Sequence, residues 1–282
     1  MDWLSAVQQL RDDGLPGVLV TVIEVRGHAP RDPGAKMVVG ADHLWGSVGG
    51  GNLEEAAIRR ARAMIAQGAL GPEVQESALN EHAHNAHGRQ CCGGVVRLLL
   101  EPLPARPVVA IFGIGHVGYE LARILSRLDV QLHLVDTRPE QLDQLRLAEV
   151  TDGVADVTVH RAVVGETVLA RLPRGAHVLI MTHDHAEDLA LCDAALRTNG
   201  LGSIGLIGSS AKWSRFRLQL AAEGHSAEAI ARIVSPIGMP EITGKDPASI
   251  AVGVAAALVL ALQAEQPAQS EADQKQAYQT QQ

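Results

Sequence analysis

Gly113-Ile114-Gly115-His116-Val117-Gly118 follows the apolar run VVAIF (108–112) and opens the amphipathic stretch GYELARILSRL (118–128). A GxGxxG carries weight only in this strand–turn–helix context, where each glycine has a separate task. Gly113 permits the tight turn, Gly115 lets a phosphate approach the backbone, and Gly118 allows close helix–strand packing. The helix start then offers amides and a positive dipole end to a diphosphate. Asp136 ends the next apolar run, QLHLVD (131–136), 23 residues after Gly113. An acid there commonly binds a ribose 2′-hydroxyl, and Arg138 beside it leaves a 2′-phosphate open. The pattern equally fits a Rossmann-like domain whose site is vestigial or holds another phosphate ligand.

The surrounding chain repeats the alternation. Strands are predicted at 108–112, 131–136, 156–160, 178–182 and 203–208, and helices at 116–128, 186–198, 210–223, 226–234 and 247–263. Strands alternating with helices imply right-handed crossovers and a parallel sheet. THDHAED (182–188) follows a later strand, at the edge where such sheets bind ligands. His183, His185 and Asp188 are therefore candidate polar site residues, while Thr182 or Asp184 can serve simply as a helix cap.

The first hundred residues read differently. Trp3, Leu4, Val7 and Leu10 have helical spacing, GVLVTVIEV (17–25), AKMVVG (35–40) and VVRLLLE (95–101) read as strands, and a helix runs from an Asn52 cap to Ala66. Three prolines in PLPARP (102–107) mark a boundary, because proline removes a donor and resists helix. The expected fold class is α/β: an N-terminal α+β domain over 1–101, a Pro-rich linker at 102–107, and a Rossmann-like parallel-sheet domain over 108–263. Residues 264–282 contain seven glutamines without apolar periodicity and are expected to be a disordered tail.

Lys plus Arg number 24 against 32 Asp plus Glu, a formal charge of −8, so the chain lacks the footprint of a nucleic-acid or anionic-membrane binder. The uninterrupted apolar run Ile250–Leu262 is shorter than the roughly 20 residues a membrane helix needs. Adjacent Cys91 and Cys92 make a poor disulfide, and with Cys192 they give no disulfide framework. A reduced, cytoplasmic protein without a membrane partner is expected. A homodimer built on apolar 247–263 is compatible with the pattern.

NEHAHNAHGRQCCGG (80–94) concentrates His82, His84, His87, Cys91 and Cys92. Imidazole and thiolate are good borderline and soft ligands, but the spacing matches no standard zinc site. A solvated His-rich loop is the plainer reading of the histidines. The cysteines sit in a glycine turn entering a strand, where backbone amides favour a thiolate, although a buried core cysteine fits as well.

In order along the chain, RGHAPRDPGAKM (26–37), GSVGGGNLE (46–54), QCCGG (90–94), FGIGHVG (112–118), VDTRPE (135–140), MTHDHAED (181–188), IGLIGSSAKW (204–213) and SPIGMP (235–240) resemble the XdhC/CoxI family. These are accessory proteins of xanthine dehydrogenase and related molybdenum hydroxylases. The resemblance implies a carrier that binds molybdenum cofactor (molybdopterin), supports its sulfuration with a cysteine desulfurase as sulfur source, and delivers it to the molybdenum-binding subunit of xanthine dehydrogenase. Such a protein is a maturation factor rather than a catalyst. Many members carry Cys where this chain has Asn52, which leaves Cys92 as the leading molybdenum-side thiol, and His28 replaces a common Ser. Gly49, Gly50 and Gly51 beside Asn52 form a loop suited to the pterin's phosphate, and Arg26, Arg31 and Lys36 can neutralise an anionic cofactor or be ordinary surface charges. The alternatives are an NAD(P)-dependent oxidoreductase using Gly113, Gly115, Gly118 and Asp136, and a metal-sequestering protein using the His/Cys loop. No residue is an evident hydride-transfer catalyst.

Overall fold

The computed structural model describes residues 1–78 and 94–265. His82, His84, His87, Cys91, Cys92 and the glutamine-rich stretch from Gln266 lie outside them. The chain divides into two compact units, Met1–Ala105 together with Ala264–Gln282, and Arg106–Gln263.

In the first unit, helix α1 (Trp3–Asp12) precedes strands β1 (Gly17–Arg26), β2 (Lys36–Gly40) and β3 (Leu44–Gly46). Helix α2 (Gly51–Gln67) and strands β4 (Glu73–Ala78) and β5 (Val95–Leu103) follow. The antiparallel sheet runs β3-β2-β1-β5-β4. Period-two alternation sends Val18, Val20, Val22, Met37 and Val39 into one core with Leu53, Ala57, Ile58, Ala61 and Met64 of α2. On the other face Leu19 and Val38 meet Ala6 and Leu10 of α1. Burying each Val, Leu, Ile or Met side chain contributes roughly 1.5–3 kcal/mol, so the aliphatic residues carry most of the stability of a unit this small.

The expected boundary at Pro102 falls inside a strand: β5 continues through Leu103, with Pro102 opposite Val18. Pairing with β4 stops at Leu100, so Pro102 has a partner strand on only one side and its missing N–H breaks no ladder there. Two short strands escape the sequence reading. β4, EVQESA, has only its alternate positions half-buried, as an edge strand allows, and β3 has three residues.

The second unit contains β6 (Val108–Phe112), α3 (His116–Leu125), β7 (Gln131–Asp136), α4 (Gln144–Thr151), β8 (Asp156–Arg161) and α5 (Glu166–Leu169). It continues through β9 (His177–Ile180), α6 (His185–Arg197), β10 (Ile204–Leu206), α7 (Ser210–Ala222), α8 (Ala227–Ile230), β11 (Ile233–Val234) and α9 (Pro247–Glu265). All strands are parallel, in the order β11-β10-β9-β6-β7-β8. The order reverses between β6 and β9, which defines the topological switch point.

Both faces of this sheet are covered, so its strands read as continuous apolar runs. Val108, Ala110 and Phe112 join Leu191, Cys192, Ala195, Phe216 and Leu220 on one face. Val109 and Ile111 join Leu121, Ala122, Leu125, Leu147 and Val150 on the other. The helix predicted at 226–234 is broken. Four residues form α8, and Ile233 and Val234 then pair with β10, because a β-branched pair gains more from an open sheet edge than from another helical turn.

Helix α9 corrects the membrane reading on one point. Over Pro247–Ala264 it is long and apolar enough, by length and composition alone, to cross a membrane. Ala251, Val254, Ala255 and Leu258 pack into the second face of the sheet, while Val252 and Leu260 remain exposed.

Candidate functional site

Each unit contains a glycine loop, and the two differ in what fills them. In the first unit Gly49, Gly50 and Gly51 all have positive φ (132°, 73° and 59°), which side chains rarely adopt. The helix cap is Gly50, not Asn52, and no side chain caps it; Asn52 lies one position inside α2. Glu54 instead turns back onto the loop that precedes the helix. Its Oε2 accepts the hydroxyl of Ser47, the amide of Val48 at 3.0 Å and that of Gly50 at 3.1 Å, while the Gly49 amide donates to Ser47 Oγ at 3.1 Å. Burial pushes the Glu54 carboxyl up, but the Ser47 hydroxyl and the amides of Gly50, Val48 and Gly49 together outweigh it and hold it below its usual value. Of the loop amides expected to face a phosphate, that of Gly50 already faces a carboxylate and that of Gly49 a hydroxyl, and the depression beside them is lined by Gly51, Glu54, Glu55 and Ile58.

The motif segments around this loop come together. A Cβ on Gly49 would stand 2.5 Å from Pro30 Cγ, so the turn between β1 and β2 lies against the loop with Arg31, exposed, next in sequence. A Cβ on Gly94 would stand 2.3 Å from the carbonyl oxygen of His28 and 2.8 Å from that of Arg26. Lys36 is committed within the sheet: Nζ donates to Thr21 Oγ1 at 2.9 Å and lies 5.2 Å from the Trp3 ring centre. Arg26 pairs with Glu24 at 2.7 Å.

In the second unit, two glycines of the turn are required by packing. A Cβ on Gly113 (φ 101°) would stand 2.3 Å from the carbonyl oxygen of Met181, and one on Gly118 would stand 2.0 Å from that of Gly113. Gly115 has an ordinary φ of −68°, and among the described residues, its two chain neighbours aside, the one atom near its added Cβ is Arg138 Nη2, at 3.9 Å. Neither strain nor crowding explains why Gly115 lacks a side chain, and the space over it is open.

Asp136, at the end of β7, is buried and locked. Oδ2 accepts the Ile114 amide at 2.7 Å and Arg138 Nη2 at 2.9 Å, while Oδ1 accepts the Arg138 amide at 2.9 Å and Nε at 3.0 Å. Burial raises its pKa, but the Arg138 side chain, the amides of Arg138 and Ile114 and the guanidinium charge prevail, so it stays ionised below the usual range.

Across the switch point, Asp184 caps α6 by accepting the amides of Ala186 at 2.6 Å and Glu187 at 3.3 Å. Asp188 points inward. Its Oδ1 accepts the Thr182 amide at 3.0 Å and hydroxyl at 2.8 Å, and its Oδ2 forms an ion pair with Lys212. Lys212 Nζ also donates to the Ile207 carbonyl at 3.0 Å, tying together the loops after β9 and β10. Asp188 is a buried tie and Lys212, 8% exposed, its partner; the sequence reading passed over this lysine inside IGSSAKW. A lysine placed between an apolar strand and Trp213 was the available signal. His183 and His185 are exposed, His185 beside Arg215 Nη2 at 3.4 Å. Cys192 is buried among these groups; burial, and then the charge of Asp188, push its thiol up to about 12, so it is no nucleophile near neutral pH. Among the described residues, no three His, Cys, Asp or Glu side chains are grouped to hold a metal ion.

A doubly wound parallel sheet with an open glycine turn at its switch point, preceded by a small antiparallel α+β unit, defines a two-unit protein of Rossmann type. Residues 109–258 match the XdhC Rossmann domain, and residues 10–75 match the XdhC and CoxI family. The chain belongs to the XdhC and CoxI family. It is similar to the uncharacterized protein YqeB of Escherichia coli K12, at 25% identity over 260 residues. That similarity covers 92% of this chain but 46% of YqeB, so the chain spans less than half the length of this relative. Among solved structures, a xanthine dehydrogenase from Bacillus halodurans aligns with a TM-score of 0.48 and 19% identity, over 96% of this chain and 98% of that one.

Proposed function

We propose that this protein is a maturation factor for a xanthine-dehydrogenase-type enzyme, binding molybdenum cofactor as cargo, supporting its sulfuration with a cysteine desulfurase and passing it to the molybdenum-binding subunit in the cytoplasm. Family membership supports the role. The observation that carries the site is the convergence of three family motifs in the first unit: the turn bearing His28 and Arg31, the loop Gly49–Gly51, and Gly94, two residues beyond Cys92. Cys92 lies outside the described residues and is the proposed soft ligand to molybdenum. Glu54 already holds the Gly50 amide and Ser47 that of Gly49, while Arg26 and Lys36 are engaged by Glu24 and Thr21, so Arg31 is the basic residue there best able to meet the cargo's negative charge.

The test is cofactor content. Protein purified with cofactor biosynthesis intact should carry molybdenum and pterin, and Cys92→Ser should keep its fold but lose most of the molybdenum, whereas Cys192→Ser should not. Equal loading in wild type and both variants would remove the thiolate role, and a fully active dehydrogenase from cells lacking the protein would remove the maturation role. The open turn at Gly115 favours a second reading, an NAD(P)-dependent oxidoreductase, which predicts bound nicotinamide instead of pterin.

A further inference from the structure

We infer that the crevice at the carboxyl edge of the second sheet takes a ligand bearing a phosphate monoester, recognised by Arg138, and does not read a free ribose diol through Asp136. An ionised carboxylate offers about four lone-pair positions. Asp136 has four donors on its two oxygens: the amides of Ile114 and Arg138, and Nε and Nη2 of Arg138. No acceptor capacity remains for ribose hydroxyls. A ligand hydroxyl would have to displace part of a buried bidentate ion pair, which costs more than the new hydrogen bond returns.

The same lock prepares Arg138 for an anion. Two of its five guanidinium N–H groups hold Asp136, which fixes the plane of the fork, and the side chain is still 26% exposed. Nη2 stands 3.9 Å from the point where a Gly115 side chain would begin, and among the described residues beyond its two chain neighbours no other atom comes within 4 Å of that point. Gly115 is the glycine of the turn that neither its backbone angle nor its packing requires. A planar cation fixed at the rim of an open glycine position matches a phosphate oxygen pair.

Glu140 and Glu187 add their fields at Arg138 and oppose an anion. Burial, then the charges of Asp136, Asp188 and Asp184 acting against His183, push the Glu187 carboxyl up, which reduces that opposition as pH falls. The phosphate monoester has two chemical sources, a nucleotide 2′-phosphate or the terminal phosphate of a pterin. This inference does not rest on the maturation reading, because cofactor delivery can survive its failure and the reverse.

Calorimetric titration of the full chain tests it with four probes: NADP⁺, NAD⁺, a 6-substituted pterin monophosphate and the same pterin without phosphate. At least one phosphorylated probe should bind roughly tenfold or more tightly than its unphosphorylated counterpart, the effect of about one charge-assisted contact. Whichever pair shows the difference identifies the source. Arg138→Ala should abolish the preference for the phosphorylated probe, and NAD⁺ should gain affinity because two acceptor positions on Asp136 become free for a ribose diol; Arg138→Lys should restore only part of the preference. Equal binding within both pairs, no binding of either phosphorylated probe, or a preference that persists in a folded Arg138→Ala protein would each overturn the inference. The wild-type comparison decides the matter even if the alanine variant does not fold.

Discussion

Removing the Lys212 charge should destabilise the second unit by a predictable amount. In Lys212→Met the apolar stem survives, but Asp188, fully buried, loses its counter-ion. Breaking a buried pair from one side costs about 3–5 kcal/mol, because the remaining charge has neither water nor partner. Here the Thr182 amide and hydroxyl still donate to Asp188 Oδ1, so the loss belongs near the lower end, about 3 kcal/mol. For a unit of this size that corresponds to a melting shift of about 6–12 °C. Urea unfolding followed through Trp213, in a Trp3→Phe/Trp45→Phe background, reports on the affected face, since Trp213 packs against that core. Asp188→Asn keeps an acceptor for Thr182 and should show the reverse defect, an unpaired lysine. The double variant should lose less than the sum of the two, with a coupling of at least about 1.5 kcal/mol. A loss under about 1 kcal/mol in Lys212→Met, or strict additivity, would refute the assignment of this pair as a buried tie.

Two further outcomes follow from the glycine loops. Gly118→Ala should fail to fold or lose several kcal/mol, roughly 3 or more, because its Cβ meets the Gly113 carbonyl, whereas Gly115→Ala should melt within a few degrees of wild type; circular dichroism melts separate them. Glu54→Gln should cost about 1 kcal/mol, the low end for a half-exposed charged hydrogen-bond acceptor. Because the native Glu54 pKa lies below its unfolded value, the wild-type advantage should be complete above the ordinary carboxylate range and disappear as pH falls through the native pKa. An advantage that grows on acidification, measured by chemical denaturation from pH 7 to pH 3, would contradict the bonding described.

The strand–turn–helix at 108–125 was legible in the sequence because its signals are local: five apolar residues, three spaced glycines and helical spacing at Gly118, Leu121, Ala122 and Leu125. The parallel sheet, and the eight-motif resemblance that runs along both units, followed from the same kind of pattern. What escaped had weak local chemistry. β4 is polar at alternate positions, and β11 has two residues whose strand character exists only because β10 offers an edge. Tertiary structure alone decided the charges. The composition of VDTR does not say whether Asp136 meets a ligand or Arg138, and that of GGGNLE does not say that Glu54 turns back onto the amides before it. Asp188 and Lys212 lie 24 residues apart, and only the packing of α6 and α7 against neighbouring strands makes them a pair. Periodicity and turn chemistry act between residues close in sequence, so the elements with strong local patterns were determined by the chain itself. Saturation of a buried carboxylate depends on donors that arrive from other elements, and those exist only once the sheet has formed.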